Sequence, residues 1–260
     1  MPEHNTTSWS TSATHPAPDH FAYVRRIAYR GGGFAPRPVA GLAPLSFILL
    51  LAAAEICART GLISSIALPA PSMVLYTLFE FTRSGDLWRH LLPSLTRLFV
   101  GAAIGVAAGV ILGVLIGLFS ATRAILVPLV AALFPVPKIA LLPIFVIWFG
   151  IDELSKYALI AFGTFTPMVV ATYAAVDNVD RRYIRMAQSF GLSSISIVKK
   201  IVLPAALPGI LSGLRVAASI AIILLVAAEM IGAQYGIGAY ILEAGSLYDI
   251  ERLFAGVTIL

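Results

Sequence analysis

The chain has 260 residues, of which 59% are hydrophobic and only 12% charged, and its mean hydropathy is +0.91. Soluble domains carry about 25% charged residues, so this composition excludes an ordinary soluble enzyme and indicates a protein of the lipid bilayer. The net charge of +5 comes from basic residues dispersed at the ends of apolar runs, where they set membrane topology, so it does not indicate a nucleic-acid partner. The lone Cys57 and the four histidines lack metal-ligand spacing, so we expect neither a metal site nor a cofactor.

Residues 1–40 differ from the rest of the chain. They are rich in Ser, Thr, His, Pro and Gly and lack an early apolar stretch, so they do not form a cleaved signal peptide. We expect a polar, disordered cytoplasmic tail in front of a membrane domain at 41–260. The tail ends in a basic collar made of Arg25, Arg26, Arg30 and Arg37.

The apolar runs predict an all-α, polytopic membrane protein, because only helices satisfy their own backbone groups in hydrocarbon. Six transmembrane helices are expected at roughly 41–59, 94–119, 124–149, 157–176, 205–231 and from 253 onward. Only eight apolar residues follow Arg252. They cover about 12 Å of a core about 30 Å thick, so we expect that the last span is truncated and that the sequence is a fragment.

Basic residues set the orientation. With the N-terminus inside, the cytoplasmic segments hold ten Lys and Arg residues and the outer segments hold four, namely Arg83, Arg89, Lys156 and Arg252. This bias predicts that the segment 177–204 faces the cytoplasm and that 60–93 lies outside. After Pro71 the outer segment is typical of a short amphipathic helix, with Ser72 as its N-cap.

Glycines recur every fourth residue in the second span and lie along one stripe of the helix. They are Gly101, Gly105, Gly109, Gly113 and Gly117. Such a stripe lets another helix approach closely, so it indicates a packing surface. A sliding surface for conformational change is the alternative.

The third span contains Pro135, Pro137 and Pro143, which predict a broken helix. Lys138 lies near its middle, and a lysine there faces either protein or water. Two interpretations stay open here. Either Pro135, Pro137 and Lys138 line a pathway, where the cation would attract anions, or the lysine snorkels to an interface because the span consists of two short pieces. The sequence predicts no pairing for the other charges near spans, which are Glu55, Arg215 and Glu229.

The basic segment 177–204 interrupts the apolar chain. Its first half, 180–190, predicts a helix with Tyr183, Met186, Ala187 and Phe190 on one face. Gly191 ends this helix, Ser193 or Ser194 caps a second short helix, and Pro204 opens the next span. The residues alone leave two interpretations, a helical hairpin on anionic head groups and a protein-docking element.

This segment resembles the EAA loop of ABC-importer permeases, whose pattern is Glu-Ala-Ala, three residues, Gly, nine residues and Ile-x-Leu-Pro. Ala187, Gly191, Ile201, Leu203 and Pro204 match the pattern. The positions of the glutamate and the first alanine hold Arg185 and Met186 instead. Other stretches, such as "PVPKIALLPIFVIWFGIDELSK" and "AAEMIGAQYGIG", resemble the nitrate, sulfonate and taurine branch of these permeases.

The resemblance covers about 41–260 and implies a type I ABC importer permease fold in the bacterial inner membrane. It implies that two permease copies form the path for a small, anionic solute, that the segment 177–204 couples to a cytoplasmic ATPase and that a periplasmic binding protein delivers the solute. The chain has no Walker A pattern, so the ATPase is a separate chain and this subunit has no catalytic residues. An ion-gradient-driven carrier and a non-transporting scaffold are the alternatives, although no inverted repeat favours the carrier.

Overall fold

A computed structural model of the protein describes residues 41–260, except for the side chain of Ala43. The predicted tail at 1–40 and its basic collar lie outside the described residues. The described part contains helices and no strand, which confirms the all-α prediction. Its residues fall into two compact units, one that ends at Leu50 and one from Leu51 to Leu260.

Eleven α-helices, one 3-10 helix and one π-helix make up the described part. The α-helices α1 to α7 are Leu42–Arg59, Pro71–Ser84, Asp86–Leu118, Ser120–Leu133, Leu142–Phe149, Glu153–Asp177 and Arg181–Ser189. The α-helices α8 to α11 are Ser194–Ile197, Leu203–Gly232, Ile237–Ser246 and Ile250–Ile259. The 3-10 helix is Lys138–Leu141 and the π-helix is Val198–Val202.

Three helical runs in the described residues are long and apolar enough to cross a bilayer: α3, α6 and the continuous run Ser194–Gly232. A fourth forms if α4 and Lys138–Phe149, which meet at an angle of 91°, count as one span. The bend falls at Pro135 and Pro137, so the predicted break in the third span is confirmed. The first predicted span corresponds to the 18-residue α1, and the start of the sixth corresponds to α11.

The predicted outer helix is present, but its predicted cap is wrong. Helix α2 begins at Pro71 after Ala70, whose side chain makes no capping bond. The backbone N–H and the hydroxyl of Ser72 instead donate to the carboxylate of Glu55, at 3.0 and 2.7 Å. Glu55 therefore takes over the capping role from a neighbouring helix, which is a pairing that local sequence rules do not register.

Helix α3 begins at Asp86, eight residues before the predicted start of the second span at 94. Gly85 has a φ of 86°, and this left-handed residue ends α2 and lets the chain turn directly into α3. Pro93 is accommodated inside the helix. Hydropathy detects only the part of a helix that lies in hydrocarbon, so it missed the polar first turns.

Helix α6 lies at the centre of the bundle and packs between α3 and α9. The fully buried Leu159 and Ile160 of α6 belong to a core cluster with Ala221 and Leu225 of α9 and Leu142 of α5. In a bilayer this cohesion comes mainly from close van der Waals contact, because lipid tails are as apolar as the side chains.

The glycine stripe of α3 faces α6. A Cβ built on Gly105 would overlap the carbonyl oxygen of Ala161 and the hydroxyl of Thr164. A Cβ on any of the other four glycines would lie only 2.5–2.8 Å from an α6 side-chain atom. The stripe is therefore the surface on which α3 and α6 pack, and sliding along it stays a prediction.

Candidate functional site

The segment 177–204 forms a helical elbow at one end of the long helices α6 and α9. Asp180 is the N-cap of helix α7, and its carboxylate accepts a hydrogen bond of 2.8 Å from the backbone N–H of Arg182. This backbone hydrogen bond, together with the Arg182 guanidinium 2.9 Å away, holds the pKa of Asp180 below its ordinary value. Asp180 therefore stays ionised and caps the positive end of α7.

Gly191 ends α7 as predicted, in the left-handed conformation with a φ of 70°. The N–H of Leu192 donates to the carbonyl of Ala187 at 3.1 Å, and that of Gly191 donates to Gln188 at 3.0 Å. These two bonds make up a Schellman motif. A Cβ at Gly191 would meet no atom within 4 Å, so backbone conformation alone favours glycine there.

The inner side of the elbow is anchored in the bundle. Ala187 is buried in a cluster with Val179, Ile197, Val202 and Ala206, which come from both sides of the elbow. Side chains at the ends of α3 and α6 pack on the same cluster. A displacement of α7 would therefore be transmitted to the long helices rather than absorbed locally.

The outer side of the elbow exposes apolar side chains. Tyr183, Met186, Phe190 and Ile195 are each more than half exposed, and we call these four residues the docking face. The predicted helix face is thus wrong for Ala187, which turns inward while its neighbours turn out. Several exposed apolar side chains on one segment are typical of a protein-interaction site.

Ser193 caps α8 as predicted, since its hydroxyl accepts from the N–H of Ser196 at 3.4 Å. Pro204 lies in the first turn of α9, as predicted, but no break separates α9 from the preceding short helix, because one helical run extends from Ser194 to Gly232. The π-helix explains the continuity. The N–H of Leu203 donates to Val198, five residues back, and the wider turn accommodates Pro204, which has no N–H to donate.

The remaining motif residues lie around the elbow. Arg185 and Pro204 are exposed, whereas Ile201 and Leu203 are half-buried. Ile201 packs on the cluster that holds Ala187. The motif therefore combines an anchored interior with an exposed rim.

Lys138 lies at the bend of the third span. Its ammonium group donates to the carbonyl oxygens of Phe134 and Leu133, at 2.5 and 3.4 Å, and lies 5.4 Å from the ring centre of Phe134. These bonds satisfy carbonyl groups left free where α4 ends. Pro135 and Pro137 are exposed beside it, and the role of all three residues in a pathway stays a prediction.

A second polar cluster lies at the opposite end of α6 and α9 and centres on Arg97 of α3. The Nε and Nη2 atoms of Arg97 donate to the two carboxylate oxygens of Glu153, both at 2.7 Å. Its Nη1 atom donates to Glu229 at 2.7 Å and to the carbonyl of Tyr235 at 2.6 Å. We call Arg97, Glu153 and Glu229 the charge cluster.

Glu229 is the most deeply buried member of the charge cluster. It also accepts hydrogen bonds from the hydroxyl of Ser94 at 2.7 Å and from the N–H of Gly238 at 2.9 Å. The Ser94 hydroxyl accepts in turn from the N–H of Ile237 at 2.8 Å. The charge cluster therefore joins α3, α6, α9 and α10 through a fully hydrogen-bonded carboxylate.

Lys156 was counted among the residues of an outer loop, but the structure buries it in the first turn of α6. Its ammonium group donates to the carbonyls of Ile151 at 3.0 Å and Asp152 at 3.3 Å, and lies 3.6 Å from Glu153. Its charge thus faces the charge cluster rather than open water. In the described residues no group of three or more His, Cys, Asp or Glu side chains could hold a metal ion.

Sequence reasoning missed the charge cluster, although one signal was available. Arg97 lies four residues before Gly101 and therefore on the same helix stripe as the glycines. Lys156 and Ile160 share such a stripe on α6, as do Leu225 and Glu229 on α9. Charges that continue a buried stripe point into the bundle, so they predict mutual pairing.

The long apolar helices around α6 and the anchored elbow with its docking face define the membrane-embedded subunit of a transport system. The family model for the binding-protein-dependent transport system inner membrane component matches residues 105–260. The chain belongs to this family and is a permease subunit of an ABC importer in the inner membrane. Such permeases work with a separate ATPase and a solute-binding protein.

Three relatives show the extent of the similarity. A Bacillus subtilis chain assigned as an aliphatic sulfonates transport permease protein is 35% identical over 81% of this chain and 76% of its own length. The taurine transport system permease protein of Escherichia coli is 37% identical over 78% and 76%, respectively. The formylaminopyrimidine transport permease protein of Halalkalibacterium halodurans is 30% identical over 83% and 86%. These similarities confirm the predicted family, fold and transport function.

Proposed function

We propose that two copies of this chain form the translocation path for a small anionic solute of the sulfonate and taurine type. The observation that carries the coupling part of this proposal is the docking face on α7 and α8, anchored beneath by Ala187. Two of the relatives described above carry sulfonate or taurine in their names, which supports the solute class.

The proposal includes an orientation and a domain division. The N-terminus and the elbow lie in the cytoplasm, where Arg181, Arg185, Lys199 and Lys200 stay exposed to water, and this placement follows the positive-inside bias. Residues 41–260 form the permease domain, and 1–40 form a cytoplasmic tail. Lys138, with Pro135 and Pro137, lines the path and attracts the anion.

Uptake in proteoliposomes tests the function. The complete complex should take up radiolabelled taurine or ethanesulfonate only with ATP on the ATPase side and with the binding protein on the other side. Omission of the ATPase is the control. Uptake without ATPase under an imposed ion gradient would contradict the proposal, as would uptake of formylaminopyrimidine with no uptake of any sulfonate.

Gly191→Val should leave the protein in the membrane but weaken its capture of the ATPase about tenfold. A β-branched residue in the left-handed conformation costs about 1–2 kcal/mol, so α8 and half of the docking face would be redirected. No atom lies near this position to clash with the new side chain, so any loss of capture comes from the backbone conformation of the turn and not from a steric clash. The measurement is a quantitative pull-down of the ATPase by detergent-solubilised permease.

Gly191→Asn is the matched control, because asparagine tolerates the left-handed conformation and should retain most of the capture. A charge control is Arg185→Glu, which should also retain capture if the apolar docking face supplies the contact. Full capture by Gly191→Val together with loss in Arg185→Glu would instead indicate that the elbow lies on anionic lipid.

Cysteine labelling tests the orientation. In a Cys57→Ala background, Ser84→Cys and Gln188→Cys should react with impermeant maleimide from opposite sides of the membrane. Both positions are exposed, and Gln188 is preferable to the nearby Ser193, whose hydroxyl caps α8. Labelling of both positions from the same side would show that the orientation is wrong.

A further inference from the structure

A cleft of about 700 Å³ opens beside the charge cluster, at the end of the helices opposite to the elbow. The residues that line it include Thr96, Tyr157, Gln234 and Tyr235, together with Arg97, Glu153 and Lys156. Two buried cations thus border a cleft whose walls combine polar and aromatic groups. The proposed coupling at the elbow makes no use of this cleft.

The two carboxylates that bind Arg97 are not equivalent. The Arg97 side chain is 5% exposed and that of Glu229 is 0% exposed, whereas that of Glu153 is 48% exposed. Glu229 alone already provides a counter-charge for the buried guanidinium, together with hydrogen bonds from Ser94 and Gly238. Glu153 is therefore the partner that can leave Arg97 without stranding an unpaired charge in the protein.

The surroundings of Glu153 can also stabilise its carboxylate after it leaves Arg97. The ammonium group of Lys156 lies 3.6 Å from one of its oxygens, and the other side of the carboxylate faces the cleft and solvent. A displaced Glu153 would thus keep a cation on one side and gain water on the other. Its departure leaves the Nε and Nη2 atoms of Arg97, a residue that lines the cleft, without their carboxylate partner.

We propose that the Nε–Nη2 edge of Arg97 binds the oxyanion group of the transported solute in place of the Glu153 carboxylate. This inference rests on the proposed function and adds a recognition site in the permease itself. Arg97 holds Glu153 through two parallel bonds of 2.7 Å, and a sulfonate presents two oxygens on one centre to the same edge. Tyr157 and Tyr235 line the same cleft and are available to contact the organic part of the solute.

The site is connected to the elbow through the helices. Glu153 lies in the first turn of α6, and the far end of α6 leads into α7. Glu229 lies near the end of α9, which continues the helical run that begins at α8. Release of Glu153 from Arg97 therefore removes an ion pair between α3 and α6, and α6 is the helix that leads to the docking face.

Binding of methanesulfonate to the permease–ATPase complex in nanodiscs, measured by titration calorimetry, tests this inference. Glu153→Gln removes the competing charge, so it should bind methanesulfonate at least about tenfold more tightly than the wild type does. The neutral double variant Arg97→Gln/Glu229→Gln should lose binding without leaving a buried charge. Arg89→Gln, which alters an exposed ion pair on the same helix, is the matched control and should bind as the wild type does.

Equal affinity of the wild type and Glu153→Gln, or binding retained by the double variant, would overturn the Arg97 site. ATP-dependent uptake by the wild-type complex is measured in parallel, so that the proposed transport function is tested separately from the Arg97 site. Normal sulfonate uptake without tighter binding by Glu153→Gln contradicts only the site. A wild-type complex that takes up no sulfonate contradicts the proposed function itself.

Discussion

Arg97→Met is expected to lower the free energy of unfolding by about 3–5 kcal/mol, the range found when one partner of a buried ion pair is removed. Methionine fills much of the same volume, so the loss comes from charge rather than from a cavity. The substitution leaves Glu229, whose side chain is 0% exposed, with only the Ser94 hydroxyl and the Gly238 N–H to stabilise its charge. Thermal unfolding of the detergent-solubilised protein, followed by size-exclusion chromatography, measures the effect.

Two further variants show whether charge is the cause. Adding Glu229→Gln to Arg97→Met removes the stranded carboxylate, so the double variant should be more stable than the single one. Arg89→Met changes an exposed pair with Asp86 at 3.6 Å and should hardly alter the unfolding temperature. If Arg97→Met unfolds at the wild-type temperature, the charge cluster contributes no stability.

The elbow was largely predictable because local chemistry determines it. The Asp180 cap, the turn at Gly191 and the Ser193 cap each depend on residues within a few positions of one another. The same holds for the break at Pro135 and Pro137, where the missing N–H groups and the ring sterics are properties of the residues themselves. Patterns of this kind can be read without knowledge of the rest of the molecule.

The continuity of the run from α8 into α9 was not predictable by the same rules. Proline normally marks a helix start, and Pro204 was interpreted in that way. The structure keeps the helix intact through a π turn at Val198–Val202. Packing of Ile197, Val202 and Ala206 in one cluster holds the two sides of this turn together, and this is tertiary information.

The pairings in the charge cluster could not be predicted from the sequence, because the paired residues are far apart along the chain. Arg97 is separated by 56 residues from Glu153 and by 132 from Glu229, so no local pattern relates them. Hydropathy treated these charges as residues near the ends of spans. Only their register with the buried stripes indicates that they point inward, and register does not say which charges meet.

The charge cluster and the elbow lie at opposite ends of the same two helices, α6 and α9. Between them, α6 packs along the glycine stripe of α3 for most of its length. Because α3 contributes only backbone at these glycines and α6 packs directly on it with Cβ atoms and carbonyl oxygens, α6 and α3 have little freedom to separate locally. A change at one end is therefore expected to reach the other end as a movement of whole helices.

Gly105→Ala tests this close contact with the smallest possible change. In an exposed helix the substitution would be favourable by about 1 kcal/mol, because alanine is the better helix former. At Gly105 the new methyl group would overlap the carbonyl of Ala161 and the hydroxyl of Thr164, and the carbonyl belongs to the α6 backbone and cannot rotate away. We therefore expect a net destabilisation of about 1–3 kcal/mol and a loss of ATP-dependent uptake.

The matched control for this variant is Ala107→Val, which also adds bulk to α3, but on its exposed face. Ala107→Val should keep both the unfolding temperature and the uptake rate close to those of the wild type. Gly117→Ala provides a graded comparison, because its methyl group would meet the side chain of Val176 at 2.5 Å, whereas the nearest backbone atom of α6 is 3.6 Å away. Its effect should fall between the other two. If Gly105→Ala is as stable and as active as Ala107→Val, then α3 and α6 are not in close contact at Gly105. The glycine stripe would then give no support to a movement of whole helices.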